Sequence, residues 1–394
     1  MSDGLDPGSG AGQTHVKRAV ADDCAEFALP LIDRWAGWLA NPRARDPQTG
    51  HWWSWVGGPA AYAYPEATAW VVQSIAQLRD HKHLFSHSPQ VADLIALGDN
   101  AAATLAQCAQ AGFLQRHGRG YAFDTAVGLA SLLAWNPHHP AIVDLRRGLD
   151  AFLTERHAVV GGPRWGESQR GHRWSAVWGP HLAWLAIPLR KLGETQLALT
   201  VAAQVRTDHA ALPDYAHALA YACEGQAAVA DLDPQARQWL DLGLARLAEQ
   251  ADRAGVRADR RQPSPLRADA TAQAIALAAQ WQGRSPPTHS NSPPKSPRAP
   301  IWDADQEARG LTTEAYLCTP QGGKRRSDAE MRPKRGIAAQ WPTLSSLAAL
   351  TTISGAVRYE PGSPCANTWC TAMAIDAALA VLNASADDGT GGRA

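Results

Sequence analysis

The sequence predicts an all-α fold. Ala and Leu recur in helix-forming runs along the whole chain, and β-branched clusters with period-two alternation are nearly absent. The helical runs also come in pairs joined by short Gly, Pro or Asn-Pro connections. Trp135-Asn136-Pro137 and Asp231-Leu232-Asp233-Pro234 are two such joints, and this is what successive antiparallel helical hairpins require.

The elements follow in order. A first helix is expected over 22–40, stopped by Asn41-Pro42, and a second over 66–79, behind Pro65, whose fixed φ suits a first helical position. Ala-rich runs predict helices over 91–111, 124–134 and 142–156, punctuated by Gly112, Asn136-Pro137 and Pro140. Helices over 175–191 and 195–207 flank Gly193, and 213–229 and 234–254 flank the Asp-Pro joint. The last three are expected over 267–282, 338–354 and 367–383. Two segments interrupt the pattern. Residues 284–299 are Pro- and Ser-rich and predict a solvated, disordered insertion, while 320–336 gather Lys, Arg and Gly into a basic loop. One domain over 21–385 is expected, between disordered tails at 1–20 and 386–394.

Composition narrows the function. Lys plus Arg and Asp plus Glu are each 37, so the zero net charge predicts no nucleic-acid partner and no anionic membrane surface. The N-terminal stretch lacks an apolar signal core, and no uninterrupted apolar run of membrane-spanning length is evident, which points to a soluble, cytoplasmic chain. Six scattered cysteines fit a reducing compartment. Cys365 and Cys370 have no second ligand pair nearby, so neither metal nor cofactor is expected. The 16 Trp stand beside only 5 Phe and 7 Tyr, and because indole offers a broad face plus an N–H, the excess points to a ligand-facing cavity.

Polar motifs lie near the starts of alternate helices. In Tyr64-Pro65-Glu66 the carboxylate falls in a first helical turn, where it complements the helix dipole, and Trp52, Trp53, Trp55 and Trp70 surround it in sequence. Asp124 reads as a helix N-cap. Trp174, Trp178 and His181 are spaced for one helical face, after a polar loop bearing Trp165, Arg164, Arg170 and Arg173. His217, Tyr221 and Glu224 align along one face of an Ala-rich helix, a costly arrangement to bury without a network or a task, and a usual set for proton transfer. Asp269 and Gln273 share a face behind Arg267, and Asn367 is placed to cap a final helix carrying Trp369. In a ring of helical hairpins the inner helices point the same way, so these clusters would converge on one mouth.

The strings YPEATAW, GYAFDTAVGLASLL, HALAYACEG, RADATAQAIALAAQW and CANTWCTAMAIDAAL, spread over about residues 50–383, carry a family likeness. The chain resembles the (α/α) toroid proteins: six-hairpin glycosidases and polysaccharide lyases and, more distantly, terpenoid cyclases and prenyltransferases. It is also similar to uncharacterised bacterial toroid proteins of glycan gene clusters. The resemblance implies a toroid of about six helical hairpins. It departs from class II terpenoid cyclases in having no complete Asp-x-Asp-Asp, the nearest string being Asp303-Ala304-Asp305-Gln306, and in lacking Gln-Trp repeats. On that basis the expected function is a glycan lyase or hydrolase with a small-molecule or oligosaccharide ligand. Its acid–base groups would come from Glu66, Asp124, His217, Tyr221, Glu224 and Asp269, and its binding surface from Trp52, Trp53, Trp55, Tyr64, Trp70, Trp165, Arg173, Trp174, Trp178, Arg267, Gln273, Asn367 and Trp369. A non-catalytic glycan- or protein-binding toroid and an isoprenoid-processing toroid are the alternatives.

Overall fold

A computed structural model describes residues 10–57, 61–109, 112–168, 172–260, 263–281 and 341–390. The insertion at 284–299, the basic loop at 320–336, the Asp303–Gln306 string and Arg170 lie outside the described residues.

The chain alternates outer and inner helices. In order they are α1 (Gly10–Ala40), α2 (Pro65–Asp80), α3 (Pro89–Ala96), α4 (Gly98–Cys108), α5 (Ala122–Trp135) and α6 (Ala141–Glu155). A 3-10 helix, Pro180–Leu185, then runs into α7 (Ala186–Lys191). The remainder are α8 (Thr195–Asp208), α9 (Ala216–Ala227), α10 (Pro234–Gln250), α11 (Ala268–Trp281), α12 (Leu344–Leu350) and α13 (Thr368–Thr390). The inner ring packs in the order α2, α5, Pro180–Lys191, α9, α11, α13 and back to α2. Outside it, α4 backs α2, α6 backs α5, α8 backs α7, α10 backs α9, α12 backs α11, and α1 closes the circle against α13. The fold is an all-α (α/α) toroid.

Burial follows this placement. In α6 the buried set is Ala141, Ile142, Leu145, Gly148, Leu149 and Phe152, one stripe facing inward. By contrast, every residue of α5 from Ala122 to Leu132 is buried, as an inner helix clasped on all sides must be. Helix α13 contains a stretch, Thr368–Ala386, long and apolar enough to cross a bilayer by length and composition. Here α1, α2 and α11 pack against it. Small side chains let inner elements approach closely: a Cβ on Gly225 of α9 would sit 2.1 Å from the Ala183 carbonyl carbon.

A repeated device positions the inner helices. Thr68, Thr125, Thr271 and Thr371 each sit buried near the start of α2, α5, α11 and α13. Each hydroxyl donates to the carbonyl four residues back, that of Tyr64, Tyr121, Arg267 or Asn367. Each also accepts an amide from the preceding loop, that of Trp52, Leu114, Val256 or Val357. Leu219 holds the equivalent place in α9. Short antiparallel strands carry the loops, among them β1 (Trp55–Val56), whose Trp55 pairs with Asn367 of the strand Ala366–Asn367, tying the lead-ins of α2 and α13 together.

Several boundaries differ from expectation. Helix α1 begins at Gly10, inside the segment expected to be a tail, and α13 runs to Thr390. The helix expected over 91–111 is interrupted at Leu97, and Gly98, which opens the next helix, packs against the Trp135 ring, 2.2 Å from where a Cβ would lie. The helix expected over 175–191 is split: a 3-10 turn, Trp174–Ala176, is followed by extended Val177 and Gly179, and Pro180 restarts the coil. Trp174 and Trp178 therefore do not share a helical face.

Candidate functional site at the inner-helix N-termini

Counting from the threonines, and from Leu219 in α9, the residues two positions earlier stand in the first turns of these inner helices. These residues are Glu66, Phe123, His217, Asp269 and Trp369. Their contacts, with those of neighbouring loops, run around the mouth. The Tyr64 hydroxyl donates to Asp124 Oδ2 at 3.1 Å, linking α2 to α5. Phe123 lies 6.0 Å from His181, whose ring meets Trp174 edge-on at 4.9 Å, and Trp174 meets His217 at 5.7 Å. His217 Nδ1 contacts Gln273 Oε1 at 2.9 Å and Asp269 Oδ2 at 3.5 Å. Arg267 stacks 3.7 Å over Tyr359, Tyr359 lies 6.1 Å from Trp369, and Trp369 lies 6.4 Å from Tyr64. A circuit of side chains thus links the starts of α2, α5, α9, α11 and α13, while Glu224 of the expected set lies outside it. Trp55 joins it at 5.3 Å from Trp369. Trp55, Glu66, Trp174, Tyr215, Tyr359 and Trp369 are half-buried and Arg173 is exposed, so the circuit meets solvent.

Beneath it lies an aromatic floor. Trp70 stacks on Tyr221 with centroids 6.2 Å apart and planes 15° apart, Phe123 touches Tyr221 at 4.4 Å, and Trp184 lies 5.5 Å from both Trp70 and Phe123. Below the floor is a cavity of about 530 Å³ that includes Trp70, Trp184, Glu224 and Gln273 in its lining. Tyr221 and Glu224 are on one helix as the spacing predicts, but they belong to the floor and the lower cavity.

The charges of the mouth divide into two groups. Burial raises the Asp124 carboxyl to about 8, and the neighbouring Glu66 charge adds to this against the pull of Arg116. Burial raises Glu66 as well, opposed by the nearby Tyr64 hydroxyl and by the bond from Trp70 Nε1 at 3.2 Å. The Glu66 and Asp124 carboxyls thus titrate together, and burial favours the protonated form of each. Asp269 is the reverse. Burial would raise it, but Arg267 donates to both its oxygens, at 3.2 and 2.7 Å, and holds it ionised below the usual carboxylate range. His217 is depressed to about 4, chiefly by burial. Because Gln273 Oε1 can only accept, His217 Nδ1 carries the hydrogen and Nε2 keeps its lone pair.

Some expected residues sit elsewhere. Trp52 is core, its N–H on the Leu39 carbonyl, and Trp178 is core, its N–H on Asp208 Oδ2. Trp165 packs against His209, away from the circuit. Trp53 contributes its carbonyl, which accepts from Thr368 Oγ1. Asp124 occupies the first turn of α5 with Tyr121 at the cap position, whereas Asn367 Oδ1 does accept the Cys370 amide. Arg116, Tyr215 and Tyr359 were not anticipated. They come from loops and strand ends, where no helical period marks them, although each stands next to a Gly, Pro or helix-start signal.

Comparison with solved structures places the fold. The type II terpene cyclase MstE from Scytonema, in its apo form, aligns with a TM-score of 0.51 over 91% of this chain and 99% of that one, at 12% sequence identity. The shared feature is the toroid. No family model matches the sequence, and no curated protein does.

Proposed function

We propose that the chain is an isoprenoid-processing enzyme that protonates a double bond at the N-terminal mouth of the toroid. What supports this is the buried Asp124 carboxyl, raised to about 8 and bonded by Tyr64, with Glu66 beside Trp70 among aromatic faces. A carboxyl that stays protonated at neutral pH is a Brønsted acid. In the proposed step its proton goes to an alkene carbon, the π electrons form the new C–H bond, and the carboxylate is left behind. The tertiary cation that results is stabilised by nearby ring faces such as Trp369 and Trp174, since a cation over an aromatic face gains roughly 0.5–2 kcal/mol. His217 Nε2 then removes a proton from a neighbouring carbon and restores a double bond. Asp269, paired with Arg267, stays ionised and adds favourable charge opposite the cation.

The terpene cyclase likeness in fold supports this reading by analogy. A glycan reading is the second, supported by half-buried Trp55, Trp174 and Trp369 beside Glu66 and Arg173. The test is incubation with C10–C20 polyprenols in D2O, followed by mass spectrometry. A product carrying one deuterium, lost in Glu66→Gln and Asp124→Asn, is expected. Turnover of oligosaccharides with none of the polyprenols would overturn the isoprenoid reading.

A further inference from the structure

The opposite end of the lumen has features that the mouth does not explain. The cavity of about 530 Å³ falls within the range of small-molecule sites, roughly 300–1,000 Å³. It lies beyond the aromatic floor, where the C-terminal ends of the inner helices gather with their negative dipole ends. Indole rings of Trp70, Trp184 and Trp281 contribute to its walls.

The charged and titratable groups of that lining are Glu224 and Asp376, with Lys191 and His81. Glu224 accepts from Trp184 Nε1 at 2.7 Å and from Gln273 Nε2 at 3.0 Å. Asp376 accepts from Ser74 at 2.9 Å and from Gln73 Nε2 at 3.5 Å. Gln73 Oε1 is buried and has no donor among the described residues. His81 is engaged by the Gln77 carbonyl and the Asn383 side chain. Lys191 is water-accessible at the rim, with Asp376 the charge that acts on it.

We infer that this cavity is a second binding site, for an organic ammonium ion with a compact apolar body. Two carboxyls, aromatic faces and the helix C-termini all favour a cation that can donate hydrogen bonds to the carboxyls. Burial raises Glu224 and Asp376 to about 7 each, so both gain charge as pH rises through neutrality. Ligand affinity therefore increases from pH 6 to pH 8.

Three isosteric probes test this in the full chain: 1-adamantylammonium, 1-adamantanol and 1-adamantanecarboxylate, titrated by intrinsic Trp fluorescence and calorimetry. The ammonium is expected to bind at least tenfold tighter than the alcohol, and the carboxylate weakest. Asp376→Asn should weaken ammonium binding about tenfold. Lys191→Met, at an exposed position where folding is not at stake, should strengthen it several-fold by removing a like charge. Equal binding of ammonium and alcohol overturns the inference, as does preference for the carboxylate with loss in Lys191→Met, or no binding by any probe. None of these results depends on turnover at the mouth, so the two proposals fail separately.

Discussion

Replacing Arg267 by Met tests the electrostatic division of the mouth. Arg267 is buried, donates two bonds to Asp269 and one to the Tyr215 hydroxyl at 2.6 Å, and stacks on Tyr359. Methionine keeps much of the stem volume and removes the charge, leaving Asp269, which is wholly buried, as an uncompensated carboxylate. Breaking a buried pair from one side costs about 3–5 kcal/mol. The pH dependence gives a sharper reading. In the native chain the Asp269 carboxyl is depressed, so its contribution is present above its unfolded value and lost as pH falls through the folded one. Without Arg267, burial is the leading influence and the folded carboxyl rises above the unfolded one. The variant's deficit should then already be present near pH 4.5, where the native contribution is in place, and grow further toward pH 8 as ionisation favours the unfolded chain. Urea unfolding followed by circular dichroism at these two pH values measures it. Arg267→Met/Asp269→Asn should recover most of the loss at pH 8. A deficit under about 1 kcal/mol, well short of a broken buried pair, or a double variant no more stable than the single one, would refute the assignment.

Other outcomes follow from the same geometry. Thr271→Val removes the acceptor of the Val256 amide at 2.9 Å, and calorimetric melting should show a loss of about 1–3 kcal/mol. Gly225→Ala places a methyl against the backbone of Ala183 and Trp184, so denaturant titration should show destabilisation of about 1–3 kcal/mol or more, whereas alanine at exposed helix positions costs little. If the mouth carries out the proposed protonation, turnover should hold between the His217 value of about 4 and the Asp124 value of about 8, and fall above the latter as the acid's proton is lost. A rate still rising at pH 9 would remove Asp124 and Glu66 from the acid role.

The inner helices were legible because their starts are marked chemically: Pro65 before Glu66, Asn367 before Trp369, and an Ala-rich helix interrupted by His217, Tyr221 and Glu224. Convergence of these starts followed from hairpin alternation alone. The segment around Trp174 was not legible as a broken coil, since the spacing of Trp174, Trp178 and His181 mimics a helix while Gly179-Pro180 redirects the backbone. Trp composition could not separate Trp52 and Trp178, whose indole N–H groups meet core partners, from Trp55 and Trp369 at the mouth. Arg116 and Tyr359 reach the site through tertiary contacts made by short strands and loops, and no local period encodes those.

The seam between α1 and α13 has a further meaning for assembly. Besides packing on α13, α1 is fastened to the loop after α12: Trp35 Nε1 donates to Thr351 Oγ1 at 3.0 Å across 316 residues, and Arg34 donates to the Thr352 carbonyl at 2.7 Å. The circle cannot close until its last helix has been synthesised, so each earlier hairpin leaves the ribosome with its axial face uncovered. Long-range closure of this kind slows folding and prolongs exposure of apolar surface. A circular permutant opened at the Glu194 loop and rejoined across the old seam would exchange which contact forms last, making the order of synthesis, separate from the final structure, the quantity that sets its yield.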